Sequence, residues 1–196
     1  MIHIIADTLS SISVSEAKKL GVEYLPQLII FGEKTYRDDN EITSEMFIEK
    51  LKQSQSNPKT AAPQPILYEK IFSQIEKNND IGIVLCPSEK LSGTYRSAKI
   101  QAEGHPNADI RVIDTGLITT LLGTVVIKAV EMVKSGAYAD QIIEKIEVLS
   151  KNNRAYFVVD TLEYLHRGGR IGLAKKLMGS ILDMKPILTL VGGQVA

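Results

Sequence analysis

The chain is short of several things, and each shortage removes a class of function. Of its 196 residues a single one, Cys86, is cysteine, so no internal disulfide can form. Neither sign of charge is in excess: 23 lysines and arginines balance 23 aspartates and glutamates. A neutral chain has no global field to draw it to nucleic acid or to an anionic membrane, so any anion site must be built locally. Long apolar runs are also missing. The richest stretch, 116–130, is broken by Thr119, Thr120, Gly123, Thr124 and Lys128 and falls short of the ~20 residues that span a bilayer, so it reads as a buried helix. The start, MIHIIADTLSS, lacks the basic opening and apolar core of a signal peptide. Together these features predict a cytoplasmic protein without a membrane-spanning segment.

Catalytic constellations are equally scarce. His3, His105 and His166 show no metal-ligand spacing, and no metal is expected. Cys86 closes an apolar run with no histidine or lysine beside it, which suits a buried, inert thiol. No lysine follows a glycine at Walker spacing, and no three-glycine dinucleotide fingerprint is present. Ser92 and Ser97 lack the context of a nucleophile elbow. A phosphotransferase or hydrolase using Asp7, Asp114 or His166 stays open as an alternative, but no acid, base and nucleophile pair by spacing.

What remains is an ordinary globular composition, 44% hydrophobic and 23% charged. Apolar strand-like runs at 2–6, 24–31, 81–85, 110–113, 155–159 and 186–191 alternate with helical spacing at 44–53, 66–77, 91–103, 117–135 and 139–150. That alternation predicts an α/β fold with a mostly parallel sheet flanked by helices. Further helix is expected up to about residue 182. The stretch 54–65, SQSNPKTAAPQP, reads as loop because its three prolines remove amide donors.

Three strands end in polar clusters: Asp7-Thr8, 88–94, and Asp114-Thr115. In an open α/β sheet such ends face one crevice, although each hydroxyl could equally well cap the next helix. Leu91-Ser92-Gly93-Thr94-Tyr95 is the sharpest, because a hydroxyl and a glycine precede a helix whose positive end suits a carboxylate or phosphate. Arg167-Gly168-Gly169-Arg170 reads either as an anion-binding turn or as a plain glycine turn.

LSGTYRSA at 91–98, TLEYLHRGGRIG at 161–172 and KPIL at 185–188, with the opening IIADTLSSIS and the segment 24–43, together resemble the DegV family over the whole chain. The resemblance implies two α/β domains with a long-chain fatty acid in a tunnel between them. It also implies a non-catalytic bacterial carrier that presents its lipid to the catalytic subunit of a fatty acid kinase, with no cofactor beyond the lipid. By position it places the carboxylate at Thr60, Ser92 and Gly93, with Thr94, Asp7, Thr115 and Arg170 as secondary candidates. The chain departs from the family at Thr60-Ala61-Ala62-Pro63-Gln64, where Thr-Ser-x-Pro-Ser is usual, so Thr60 carries more of the head-group contact. Against the family pattern, 1–154 reads as the first domain and 155–196 as the beginning of a second, incomplete one. A shortened chain of that kind would expose apolar surface and self-associate.

Overall fold

The computed structural model describes residues 1–54, 56–177 and 185–196. In chain order the strands are β1 (Ile2–Asp7), β2 (Glu23–Leu25), β3 (Leu28–Phe31), β4 (Lys34–Arg37), β5 (Lys59–Ala61), β6 (Ile81–Cys86), β7 (Asp109–Asp114), β8 (Tyr156–Val158), β9 (Ile187–Val191) and β10 (Gln194–Val195). The helices are α1 (Val14–Leu20), α2 (Ser44–Gln53), α3 (Pro65–Asn78), α4 (Thr94–Glu103), α5 (Thr119–Lys134), α6 (Ala139–Asn152) and α7 (Glu163–Arg167), with 3-10 turns at Thr8–Ser10 and Gly172–Leu177.

The main sheet is parallel, in the order β2-β1-β6-β7. The inner strand β6, Ile-Gly-Ile-Val-Leu-Cys, is buried on both faces, as a near-continuous apolar run requires. On one face α1, α5 and α6 close a core around Ile4, Ile83, Leu122, Val126 and Ile146. On the other, α3 and α4 cover Ile5, Val84, Tyr68 and Phe72. Leu122, Val125, Val126 and Ala129 lie at helical spacing on the buried stripe of α5. This helix passes so close to the first 3-10 turn that a β-carbon on Gly123 would stand 2.5 Å from the Ser10 carbonyl oxygen.

Two smaller antiparallel sheets complete the fold: β4-β3-β5, and β10-β9-β8 with its own cluster of Ile171, Ala174, Leu188 and Val195. The strand expected over 24–31 is two strands in different sheets. Pro26 offers no amide, and the Gln27 amide donates to the Thr8 hydroxyl at 3.0 Å instead of to a ladder, so the chain leaves the parallel sheet there. The loop expected over 54–65 contains β5, which adds a second edge to β3 with Thr60 opposite Ile29. The helix expected up to about 182 is a 3-10 turn as far as Leu177, and 178–184 lie outside the described residues.

Candidate functional site

Parallel pairing brings the carboxyl ends of β1, β6 and β7 to one edge of the main sheet, with Cys86 in register with Asp114 and Ala6 with Leu85. Asp7 turns inward there and is 1% exposed. Its carboxylate accepts hydrogen bonds from the Leu9 amide at 3.1 Å, Gln27 Nε2 at 2.6 Å and Thr94 Oγ1 at 2.7 Å. All three donors are neutral, so burial dominates. The carboxyl is pushed up to about 6, against the pull of the Thr94, Gln27 and Leu9 hydrogen bonds and helped by the nearby charge of Asp38.

Gln27 binds three segments together. Its side-chain amide reaches both Asp7 and Thr94 Oγ1, the latter at 2.8 Å, and its backbone carbonyl accepts the Asp38 backbone amide at 3.1 Å. The Thr8 hydroxyl is shared between the two Asp38 oxygens at 2.8 and 2.7 Å. Burial raises the Asp38 carboxyl as well, partly offset by that hydroxyl. Sequence reasoning did not single out Gln27. Its one signal is a primary amide inside the apolar run Tyr-Leu-Pro-Gln-Leu-Ile-Ile.

Ser92 and Gly93 lead into α4. Ser92 Oγ lies 3.0 Å from Thr94 Oγ1 and accepts the Thr94 amide at 3.3 Å. Gly93 is exposed, caps the helix without a side-chain hydrogen bond, and has open space where a β-carbon would sit. The Thr94 amide is taken by Ser92 Oγ, and the next two first-turn amides have no intrahelical acceptor, which leaves the positive end of the helix at this loop. Arg170 is laid against the same loop, its Nε donating to the Leu91 carbonyl at 3.1 Å and an Nη to the Gly168 carbonyl at 2.6 Å.

The structure thus joins Asp7, Thr94 and Ser92 directly and brings Arg170 to the residue before Ser92. Thr60 is exposed on β5 and is tied to this group only through register, opposite Ile29 and two residues past Gln27. Thr115 stands apart. Its hydroxyl donates to the Cys86 carbonyl at 2.8 Å and accepts the Leu117 amide at 3.2 Å, so the backbone already occupies it. It lines a cleft of about 900 Å³ between the β7–α5 side of the main sheet and the β9–β10 hairpin. Val112, Ile113, Leu117, Leu121 and Leu190 give this cleft apolar walls; Ser88 and Tyr95, which flank Ser92 in the chain, also line it. Ser88 Oγ ties the two sides together by donating to the Gly193 carbonyl at 2.6 Å.

Among the described residues no helix is long and apolar enough to cross a membrane, and no group of three or more His, Cys, Asp or Glu is placed to hold a metal ion.

Comparison with known proteins gives consistent matches. The model of a family described as "Uncharacterised protein, DegV family" matches residues 1–196. A DegV domain-containing protein of Halalkalibacterium halodurans is 34% identical over 195 residues, covering 99% of this chain and 69% of the relative. A solved structure of a DegV family protein from Thermus thermophilus, described for its fatty acid binding, superposes with a TM-score of 0.91 at 32% identity, over 99% of this chain and 69% of that one. A stearic acid-binding protein from Eubacterium ventriosum superposes with a TM-score of 0.90 at 27% identity, over 100% of this chain and 69% of that one.

Proposed function

Since the chain belongs to the DegV family, we propose that it binds one long-chain fatty acid by its carboxylate and carries it to a partner. The observation that carries this reading is the placement of the Ser92–Gly93 loop. It combines a hydroxyl, open space and the positive end of a ten-residue helix, and Lys90 and Tyr95, two residues to either side of it, line the 900 Å³ cleft. That volume falls within the range of ordinary small-molecule sites.

Hydroxyls and backbone amides bind a carboxylate through charge-assisted hydrogen bonds without burying an extra cation. Ser92 and Gly93 are assigned the head group, with Thr60 reaching it from β5 and Arg170 adding positive charge from the side. The tail is assigned to the cleft. Each buried methylene contributes about 0.8 kcal/mol, so the tail supplies most of the affinity and the polar loop sets orientation.

The reading gives the chain no chemistry of its own. Asp7 is held by three donors, and Asp114 Oδ1 accepts the amides of Glu89 and Gly116, so both strand-end carboxylates are engaged in structure. Phosphoryl transfer to the bound lipid falls to the catalytic subunit of a fatty acid kinase. Residues 1–154 are assigned to one domain and 155–196 to a second. Tyr156, Val158 and Ile187 form an exposed apolar patch on one face of β8–β9, and self-association is assigned to it.

Native mass spectrometry of the purified protein, with identification of whatever denaturation releases, tests the binding reading. A mass excess equal to one fatty acid is expected. Protein that stays empty after incubation with excess stearate overturns it.

A further inference from the structure

Thr94 Oγ1 has three polar neighbours and one hydrogen to give. Asp7 Oδ2 lies at 2.7 Å, Gln27 Nε2 at 2.8 Å and Ser92 Oγ at 3.0 Å. Gln27 presents its amide nitrogen, because the same atom also donates to Asp7 Oδ2. Thr94 therefore accepts from Gln27, and only the bonds toward Asp7 and Ser92 can change direction.

Two arrangements satisfy these three atoms. With Asp7 ionised, Thr94 donates to Asp7 and Ser92 donates to Thr94. Ser92 then turns only its one remaining lone pair outward, and this repels a carboxylate. With Asp7 protonated, the proton on Oδ2 points at Thr94, Thr94 donates to Ser92, and the Ser92 hydrogen is free to face the loop mouth. Every other bond survives in both arrangements, including those from the Leu9 amide to Asp7 and from the Thr94 amide to Ser92.

We infer that Asp7 and the bound head group share one proton through the Thr94 and Ser92 hydroxyls, so that Asp7 is a positioning residue that takes up a proton when a carboxylate binds. This rests on the fatty acid reading above and adds to it the protonation state of the site. Among the described residues no base beside Asp7 holds it ionised. The titratable groups that face it are Asp38 after β4, Tyr24 on β2, Tyr68 on α3 and Cys86 on β6, all of them acids; Gln27 and Thr94 contribute neutral groups. A second carboxylate at Ser92 adds one more negative charge to this set and favours the protonated form further. With Asp7 already pushed up to about 6 before any ligand arrives, the proton comes from solvent at neutral pH.

The test is calorimetric titration of sodium laurate, below its micelle concentration, into the protein at pH 7.5 in phosphate and in Tris, whose heats of ionisation differ. The two apparent binding heats should differ by the uptake of about one proton per ligand, and affinity should fall up to about tenfold per pH unit above neutrality. Asp7→Asn has no proton to gain there, and Thr94→Val cuts the hydroxyl chain, so both should bind with heats independent of buffer. Laurate binding by the wild type with no buffer dependence overturns the inference and leaves the proposed function standing. Proton uptake that persists in Asp7→Asn also overturns it, because the proton then sits on the ligand itself. No laurate binding at any pH overturns the proposed function, and the shared proton with it.

Discussion

Thr94 Oγ1 and Asp7 Oδ2 are 2.7 Å apart across 87 residues of chain, joining the carboxyl end of β1 to the first turn of α4. The contact stabilises an acid in a place where ionisation is costly. Folding lifts the Asp7 carboxyl from its ordinary value of 3.8 to about 6, so between those values the folded chain binds a proton that the unfolded chain has lost. Stability from this group is therefore full at acid pH and falls as pH rises through that window, leaving a penalty of roughly 3 kcal/mol above it. Asp7→Asn removes the titration. Urea unfolding should show the variant gaining on the wild type as pH rises from 4 to 7. A difference that stays constant across that range would mean Asp7 does not titrate in the fold.

Ser92→Ala and Thr60→Val address the head group itself. Each removes one hydroxyl that the proposal assigns to the carboxylate, and since hydrogen bonds to charged groups contribute about 1.5–3 kcal/mol, a tenfold or greater loss of affinity for stearate is expected. Ser92 is half-buried and Thr60 exposed, so unfolding midpoints should move little. Unchanged affinity in both variants sinks the site assignment while leaving the family untouched.

Gly123 separates two effects of opposite sign. Alanine is better than glycine inside a helix by about 1 kcal/mol. Here the new β-carbon would stand 2.5 Å from the Ser10 carbonyl oxygen, a backbone atom that cannot swing aside, and overpacking of this kind costs about 1–3 kcal/mol. Gly123→Ala is expected to destabilise in urea, and a stabilised variant would show that α5 and the 3-10 turn can separate freely.

The parallel sheet and its helices were legible because apolar runs and helical spacing alternate without ambiguity over 81–150, where Ile81–Cys86 and Thr119–Lys134 formed close to their expected bounds. The break at Gln27 was not. Tyr24-Leu25 and Leu28–Phe31 look alike in propensity, and what parts them is a set of distant partners, Thr8, Asp7 and Thr94, that no local pattern reveals. β5 was hidden for a related reason: three residues between prolines become a strand only because β3 offers them an edge. In the site, strand ends pointed to Asp7 and the Ser92 loop on physical grounds, whereas Thr60 was reached through family resemblance alone. Thr115 shows why such readings divide, since its hydroxyl sits at the right edge of the sheet and is taken up by its own backbone.

His105, unremarkable in the sequence, is held by two carboxylates and makes the last prediction. Its Nδ1 lies 3.1 Å from Glu76 and its Nε2 3.1 Å from Glu69, and its ring meets Phe72 edge to face at 5.8 Å. Both ring nitrogens face acceptors, so the imidazolium satisfies the site and a neutral ring leaves one contact repulsive. Glu76 contributes most to raising the histidine above its ordinary value; burial opposes, and Glu69, about half exposed, adds less. A raised basic group stabilises the fold fully below its unfolded pKa of about 6.5 and loses that contribution as pH climbs through the folded value. His105→Ala should accordingly cost roughly 2 kcal/mol at pH 5.5 and less at pH 9, measured by denaturant unfolding. An equal cost at both pH values would assign His105 to packing on Phe72 rather than to a charged clamp between α3 and the turn after α4.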